Sequence, residues 1–189
     1  MKISLNSILG LFPCQLTLVK GSPIGVFSII LLLFISFACQ TEQPLNTIDL
    51  SGPWTVKLDS LDKGVSEKWY GIDIDGADIS LPSTLDEAEI GIPNKLEPAL
   101  DNYVLAHLTR KHSYTGKAWY QRQVSIPENW EGKKIEMKLE RVLWQSQVWI
   151  DDQKVDAVQE SLITPHYFDL SELLSPGEHT LTILVDDST

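Results

Sequence analysis

The stretch LERVLWQSQVWIDDQKV, Leu139 to Val155, followed by TPHYFDLSELLSPGEHTLTILVDD, Thr164 to Asp187, decides the fold. Trp144, Ser146, Val148 and Ile150 fall on one side of an extended segment and Gln145, Gln147 and Trp149 on the other. That is the period of two expected of a β-strand. Asp151-Asp152 supplies a tight turn into Lys154 and Val155. Beyond the loop come a short strand, a single helical turn and Pro176-Gly177, after which Leu181, Ile183 and Val185 alternate along a closing strand. Short strands punctuated in this way belong to an antiparallel sandwich.

The pattern extends upstream. In GKAWYQRQVSIPENWEGKKI, Gly116 to Ile135, Tyr120, Arg122, Val124 and Ile126 share one face of a strand that ends in a Pro-led turn at Pro127 to Gly132. The next strand sets Ile135, Met137 and Leu139 against Lys134, Glu136 and Lys138, the alternation of a half-buried sheet. Earlier still, Trp54, Val56 and Leu58 alternate within Asp49 to Ser60, the expected first strand, and Ile79 and Leu81 within Asp78 to Pro82. Ser83 to Gly116 has no strand pattern, and in it Leu100, Val104 and Leu108 are spaced for a short helix over Pro98 to Leu108.

The chain has 189 residues and a net charge of −11, enough for one ordinary domain and wrong in sign for a nucleic-acid partner. Its two cysteines, Cys14 and Cys39, precede the strand pattern, so no disulfide framework or Cys-based metal site is expected. Ile24 to Ala38 is apolar and uncharged, shorter than the roughly 20 residues of a membrane span and suited to an export signal. Ala38 before Cys39 resembles a bacterial lipobox, in which the cysteine takes a lipid, although Ser36 stands where Leu is usual. The expected organisation is a signal peptide at 1–38, a lipid-anchor tether at 39–48 and a β-sandwich domain at 49–189. Val19-Lys20 lies closer to the apolar run than Met1 does and is an alternative start for that signal. These readings place the protein outside the cytoplasm, anchored by lipid in the bacterial cell envelope, in the periplasm or at the outer surface.

Taken together, GKAWYQRQVSIPENW, LERVLWQSQVWIDDQKV and TPHYFDLSELLSPGEHTLTILVDD resemble the N-terminal sugar-binding domain of glycoside hydrolase family 2, over about Leu50 to Asp187. Leu81-Pro82-Ser83-Thr84 is similar to a turn of that family. The resemblance implies an all-β, galactose-binding-domain-like jelly-roll sandwich. It also implies a glycan partner and a parent enzyme of the kind that includes β-galactosidases, β-glucuronidases and β-mannosidases. In such enzymes an immunoglobulin-like sandwich and a barrel with two catalytic glutamates follow, and the chain is expected to stop before both. Retaining hydrolysis needs two carboxyls about 5 to 5.5 Å apart. Asp151-Asp152 and Asp186-Asp187 are adjacent pairs that point to opposite faces and suit turns, so no catalytic residue is nominated.

Loops of the family's domain help to shape the active-site mouth. The resemblance therefore nominates Thr109–Gly116 and Gln159–Thr164, with Arg110, His112, Tyr114 and Glu160 as the groups for sugar hydroxyls and ring faces. The plainer alternative makes Arg110 a solvated loop charge and Tyr114 a packing residue. Of six tryptophans, Trp54, Trp119, Trp144 and Trp149 lie in strands and are expected inside, whereas Trp69 and Trp130 lie nearer loops and are the candidates for a sugar platform. His107, His112, His166 and His179 have no metal-ligand spacing, no loop is diagnostic of calcium, and no cofactor is expected. Three readings of function remain: part of an exported glycosidase, a free-standing carbohydrate-binding lipoprotein, or a purely structural or interaction sandwich without sugar contacts.

Overall fold

The computed structural model describes residues 2–6, 46–95, 100–102, 110–155 and 158–188. Most of the expected signal and tether, Cys39 included, and most of the expected helix at Pro98–Leu108 lie outside the described residues. Met1–Asn6 and Asn46–Thr189 make up one compact unit.

Its strands are β1 (Lys2–Asn6), β2 (Thr47–Asp49), β3 (Gly52–Asp59), β4 (Ala77–Leu81), β5 (Ile92–Pro93), β6 (His112–Ser113), β7 (Lys117–Ile126), β8 (Lys134–Leu139), β9 (Gln145–Ile150), β10 (Gln153–Lys154), β11 (Gln159–Glu160), β12 (His166–Asp169) and β13 (Gly177–Asp186). The larger sheet runs β10-β9-β13-β7-β3-β4, with β11 also on β9, and the smaller one runs β12-β8-β1-β2. All pairings are antiparallel, and β13 pairs with β7 from Gly177↔Ile126 to Asp186↔Lys117. The all-β sandwich read from the alternation is the fold.

Two differences stand out. Lys2–Asn6, which the sequence reading assigns to a leader, forms a strand between β8 and β2, with Ile3 fully buried. The segment Ser83–Gly116 does contain strand, because β5 and β6 pair as a short ladder through Ile92↔Ser113 and Pro93↔His112.

Trp54, Val56, Ile79, Val148, Ile150, Leu181 and Ile183 of the larger sheet meet Ile3, Ile135, Met137, Leu139 and Phe168 of the smaller one in the main core. A turn at the start of the helical-looking DLSELL ties the sheet to its loop. Asp169 Oδ1 accepts from Ser171 N and Oγ, Ser171 Oγ accepts from Ile135 N, and Leu170 N donates to Ile135 O. The Ser171 donors hold the Asp169 carboxyl below its ordinary range.

A second cluster lies on the other face of the larger sheet, where Trp119, Trp149 and Leu184 are covered by Trp69, Tyr70 and Ile74 from the 60–76 loop. Asp59 organises this cover. Its carboxylate accepts from Lys63 N at 2.7 Å, Gly64 N at 2.8 Å and Trp119 Nε1 at 3.1 Å. Gly64 packs so closely on Trp119 that a Cβ there would lie 2.2 Å from the indole nitrogen. Gln121 adds a buried clamp, accepting from Ile74 N and donating to Ile72 O and Thr182 Oγ1. These bonds satisfy polar groups that burial would otherwise penalise.

Trp69 and Trp130 are therefore not a sugar platform: their side chains are 7% and 3% exposed. Each sits at a 3₁₀ turn, near loops as expected, but turned inward. Trp54, Trp119 and Trp149 are buried as expected, and Trp144 is half-buried.

Candidate functional site

Arg110, His112 and Tyr114 lie on one short segment, and the fold pins its backbone. Asp86 Oδ1 accepts from Lys111 N at 2.8 Å and from His112 N at 2.7 Å. Asn94 Nδ2 donates to Arg110 O at 3.0 Å, and Asn94 N donates to Lys111 O. Gly91, at φ +121, lies where a Cβ would come within 2.8 Å of Ser113 O, so the β5–β6 ladder requires a glycine there. The result is a rigid presentation of a loop segment, the usual way a binding group is placed.

The side chains then diverge. Arg110 is exposed. His112 is half-buried, and its Nδ1 is the one buried side-chain nitrogen or oxygen among the described residues that lacks a hydrogen-bond partner. Such a group is costly to leave unpaired, and this one is closed off from solvent. Tyr114 instead packs against the core and donates its hydroxyl to Lys117 O at 2.8 Å, and burial raises its phenol above the ordinary range. It reads as the packing residue of the plainer alternative.

Glu160 is elsewhere on the same end of the sheet. It sits exposed on β11, paired with Gln145, and its Oε1 accepts from Gln145 Nε2 at 3.2 Å. Gln145 is in register with Asp186, and Asp186 with Lys117. Three strand intervals, about 14 Å, separate the Glu160 backbone from Lys117, which follows the Arg110–Tyr114 segment. The four nominated residues thus share an end of the sandwich without forming one cluster.

A feature that the alternation does not disclose lies against the inner face of the larger sheet. Leu81, Tyr120, Leu143, Ile183 and Val185 line a cleft of about 550 Å³, with Ser83, Thr84, Glu140 and Arg141 among its polar groups. Burial, reinforced by the negative charge of Asp187, pushes the Tyr120 phenol up to about 12, so it is a neutral hydroxyl at any physiological pH. Glu140 is held below its usual range by Lys138, 2.5 Å away. Apolar walls with a few polar groups are the ordinary make-up of a small-molecule site. The only signal in the sequence was the Leu81-Pro82-Ser83-Thr84 turn.

A shallower depression of about 430 Å³ is lined by Tyr70, Asp73, Asp151, Asp152 and Thr180 among others. Asp151 serves the turn that the sequence suggested. Burial alone would raise its carboxyl, but His179 Nδ1 and Thr180 N, each at 2.8 Å, bring it below the ordinary range. Asp187 likewise accepts from Gly116 N, and Asp186 from Ser188 N.

Comparison with known proteins places this geometry. Residues 47–187 match the family described as "Glycosyl hydrolases family 2, sugar binding domain". A β-glucuronidase of Paenibacillus borealis is 24% identical over 140 residues, which is 74% of this chain and 21% of that protein. Among solved structures, the β-glucuronidase of an uncultured Clostridium species superposes with a TM-score of 0.56 at 22% identity, over 74% of this chain and 22% of that one. The Ruminococcus gnavus β-glucuronidase superposes with a TM-score of 0.57 at 17% identity, over 73% of this chain and 20% of that one. The chain spans about a fifth of the length of these relatives. The chain belongs to glycosyl hydrolase family 2, and its sandwich is the sugar-binding domain of that family.

Proposed function

We propose that this chain is the N-terminal sugar-binding domain of an exported family 2 glycosidase that cleaves β-glucuronides, with its hydrolytic machinery in domains beyond the sandwich. The observation that carries the reading is the coincidence of the family match at 47–187 with a sandwich whose β5–β6 ladder is pinned by Asp86. In this reading the Asp86 clamp presents Arg110 to a sugar carboxylate or hydroxyl, and His112 supplies a second hydrogen-bonding group. Arg is suited to a planar carboxylate because its guanidinium forms two parallel hydrogen bonds with it. The relatives' names supply the sugar, and the apolar run ending at Ala38-Cys39 supports export with a lipid on Cys39.

The test is to express the full open reading frame and assay chromogenic β-glucuronide, β-galactoside and β-mannoside. Turnover of the glucuronide alone is the expected result. Arg110→Ala is expected to raise KM about tenfold or more, the loss of about 1.4 kcal/mol of binding, with the thermal transition unchanged. Equal turnover of all three glycosides, or unchanged kinetics in the variant, overturns the substrate or the residue assignment respectively. A frame that stops at codon 189, together with glycan binding, favours the free-standing lipoprotein. Fatty-acid labelling that is present in the wild type and lost in Cys39→Ser checks the anchor.

A further inference from the structure

The smaller sheet is assembled from two sources. β2 and β8 both lie inside the matched domain at 47–187, whereas the strand between them, Lys2–Asn6, lies outside it. That strand pairs with β8 from Lys2↔Lys138 to Asn6↔Lys134 and with β2 from Lys2↔Asp49 to Ser4↔Thr47. It also delivers Ile3, 0% exposed, to the main core beside Met137 and Leu139. Without it, β8 would keep only β12 as a neighbour and β2 would have none in that sheet. The lane so opened would be one strand wide, about 9.6 Å between flanking backbones, with an apolar floor and free N–H and C=O groups on both sides.

We propose that the lane between β2 and β8 is a strand-acceptor groove and that Lys2–Asn6 is an exchangeable occupant of it, held by antiparallel pairing with β8 and by Ile3 rather than as a fixed part of the domain. Backbone pairing supplies affinity in such strand addition, and a side-chain pocket at alternate positions supplies selectivity. The link from Asn6 to the domain contains the apolar run and Cys39, so any cut there converts a tethered strand into a bound peptide. The proposal stands apart from the export reading, in which residues 1–38 are removed as a signal and do not accompany the domain.

The experiment uses the full chain with a specific protease site inserted between Asn6 and Asn46 and cut after purification. The expected result is that the N-terminal piece stays with the sandwich and is then displaced, saturably, by an excess of labelled peptide spanning Met1–Ser7. The same peptide with Ile3→Asp competes at least tenfold more weakly; placing the change in the peptide leaves the folding of the protein untouched. A Ser4→Cys peptide cross-links to protein carrying Glu136→Cys, its register partner, and far less to Lys138→Cys, two residues away. Loss of the piece on cutting with no uptake of peptide overturns the proposal, as does a piece that stays but never exchanges. Dimerisation of the cut protein without peptide uptake gives the groove to a second copy and overturns the assignment of Lys2–Asn6.

Discussion

Single residues decide how the outer face of the larger sheet is closed. Asp59 is a buried carboxylate that accepts from two backbone N–H groups and the Trp119 indole, so Asp59→Ala leaves three donors unpaired. The expected cost is about 3 kcal/mol, read as a lower urea midpoint without a change in slope. Gly64→Ala places a methyl group inside contact distance of Trp119 and is expected to cost a similar amount, at about 1 to 3 kcal/mol. Tyr120 gives a pH signature. Its phenol titrates near 12 in the fold against an ordinary value of 10, so the neutral form is favoured by folding. That stability is fully present below pH 10 and is lost as pH rises towards 12, up to about 3 kcal/mol in all. Thermal melting across that window is expected to flatten in Tyr120→Phe, and phenolate absorbance reports the titration directly.

At the scale of elements, the Asp86 clamp holds the backbone of the Arg110–His112 segment in place. Asp86→Ala removes the acceptor for two successive backbone N–H groups. Amide exchange at Lys111 and His112 is expected to accelerate at least tenfold while exchange in β7 and β13 stays slow, because the β5–β6 ladder lies outside the main sheets. The clamp was not legible in the sequence. Asp86 and His112 are far apart along the chain, and no periodicity relates a loop carboxylate to the two N–H groups it caps. Arg110 and His112 were nominated because the family resemblance pointed at their loop, and their exposure and unpaired nitrogen emerge only from the fold. Tyr114 and Glu160 were nominated on the same grounds, but one packs inward and the other stands three strands away.

For the whole molecule, strand faces and sandwich class were open to reading, because side-chain alternation is a local consequence of extended backbone. Trp149 is instructive: the pattern put it on the face opposite Val148 and Ile150, and that is where it lies. The pattern was silent on the fact that this face is covered. An irregular loop carries Trp69 and Tyr70 onto it, with Tyr70 stacked on Trp149 at 5.2 Å and 5° between planes. The seat of Lys2–Asn6 was equally hidden, since its partners on β8 lie more than a hundred residues away and five residues carry too short a pattern to stand alone. The sequence by itself determined the longer strands and their inward faces, which follow from spacing along the chain, and its motifs carried the family resemblance. Only the tertiary structure decided which faces are closed, which loop groups are held in place and which segment lies between β2 and β8, because those depend on contacts between residues with no fixed spacing.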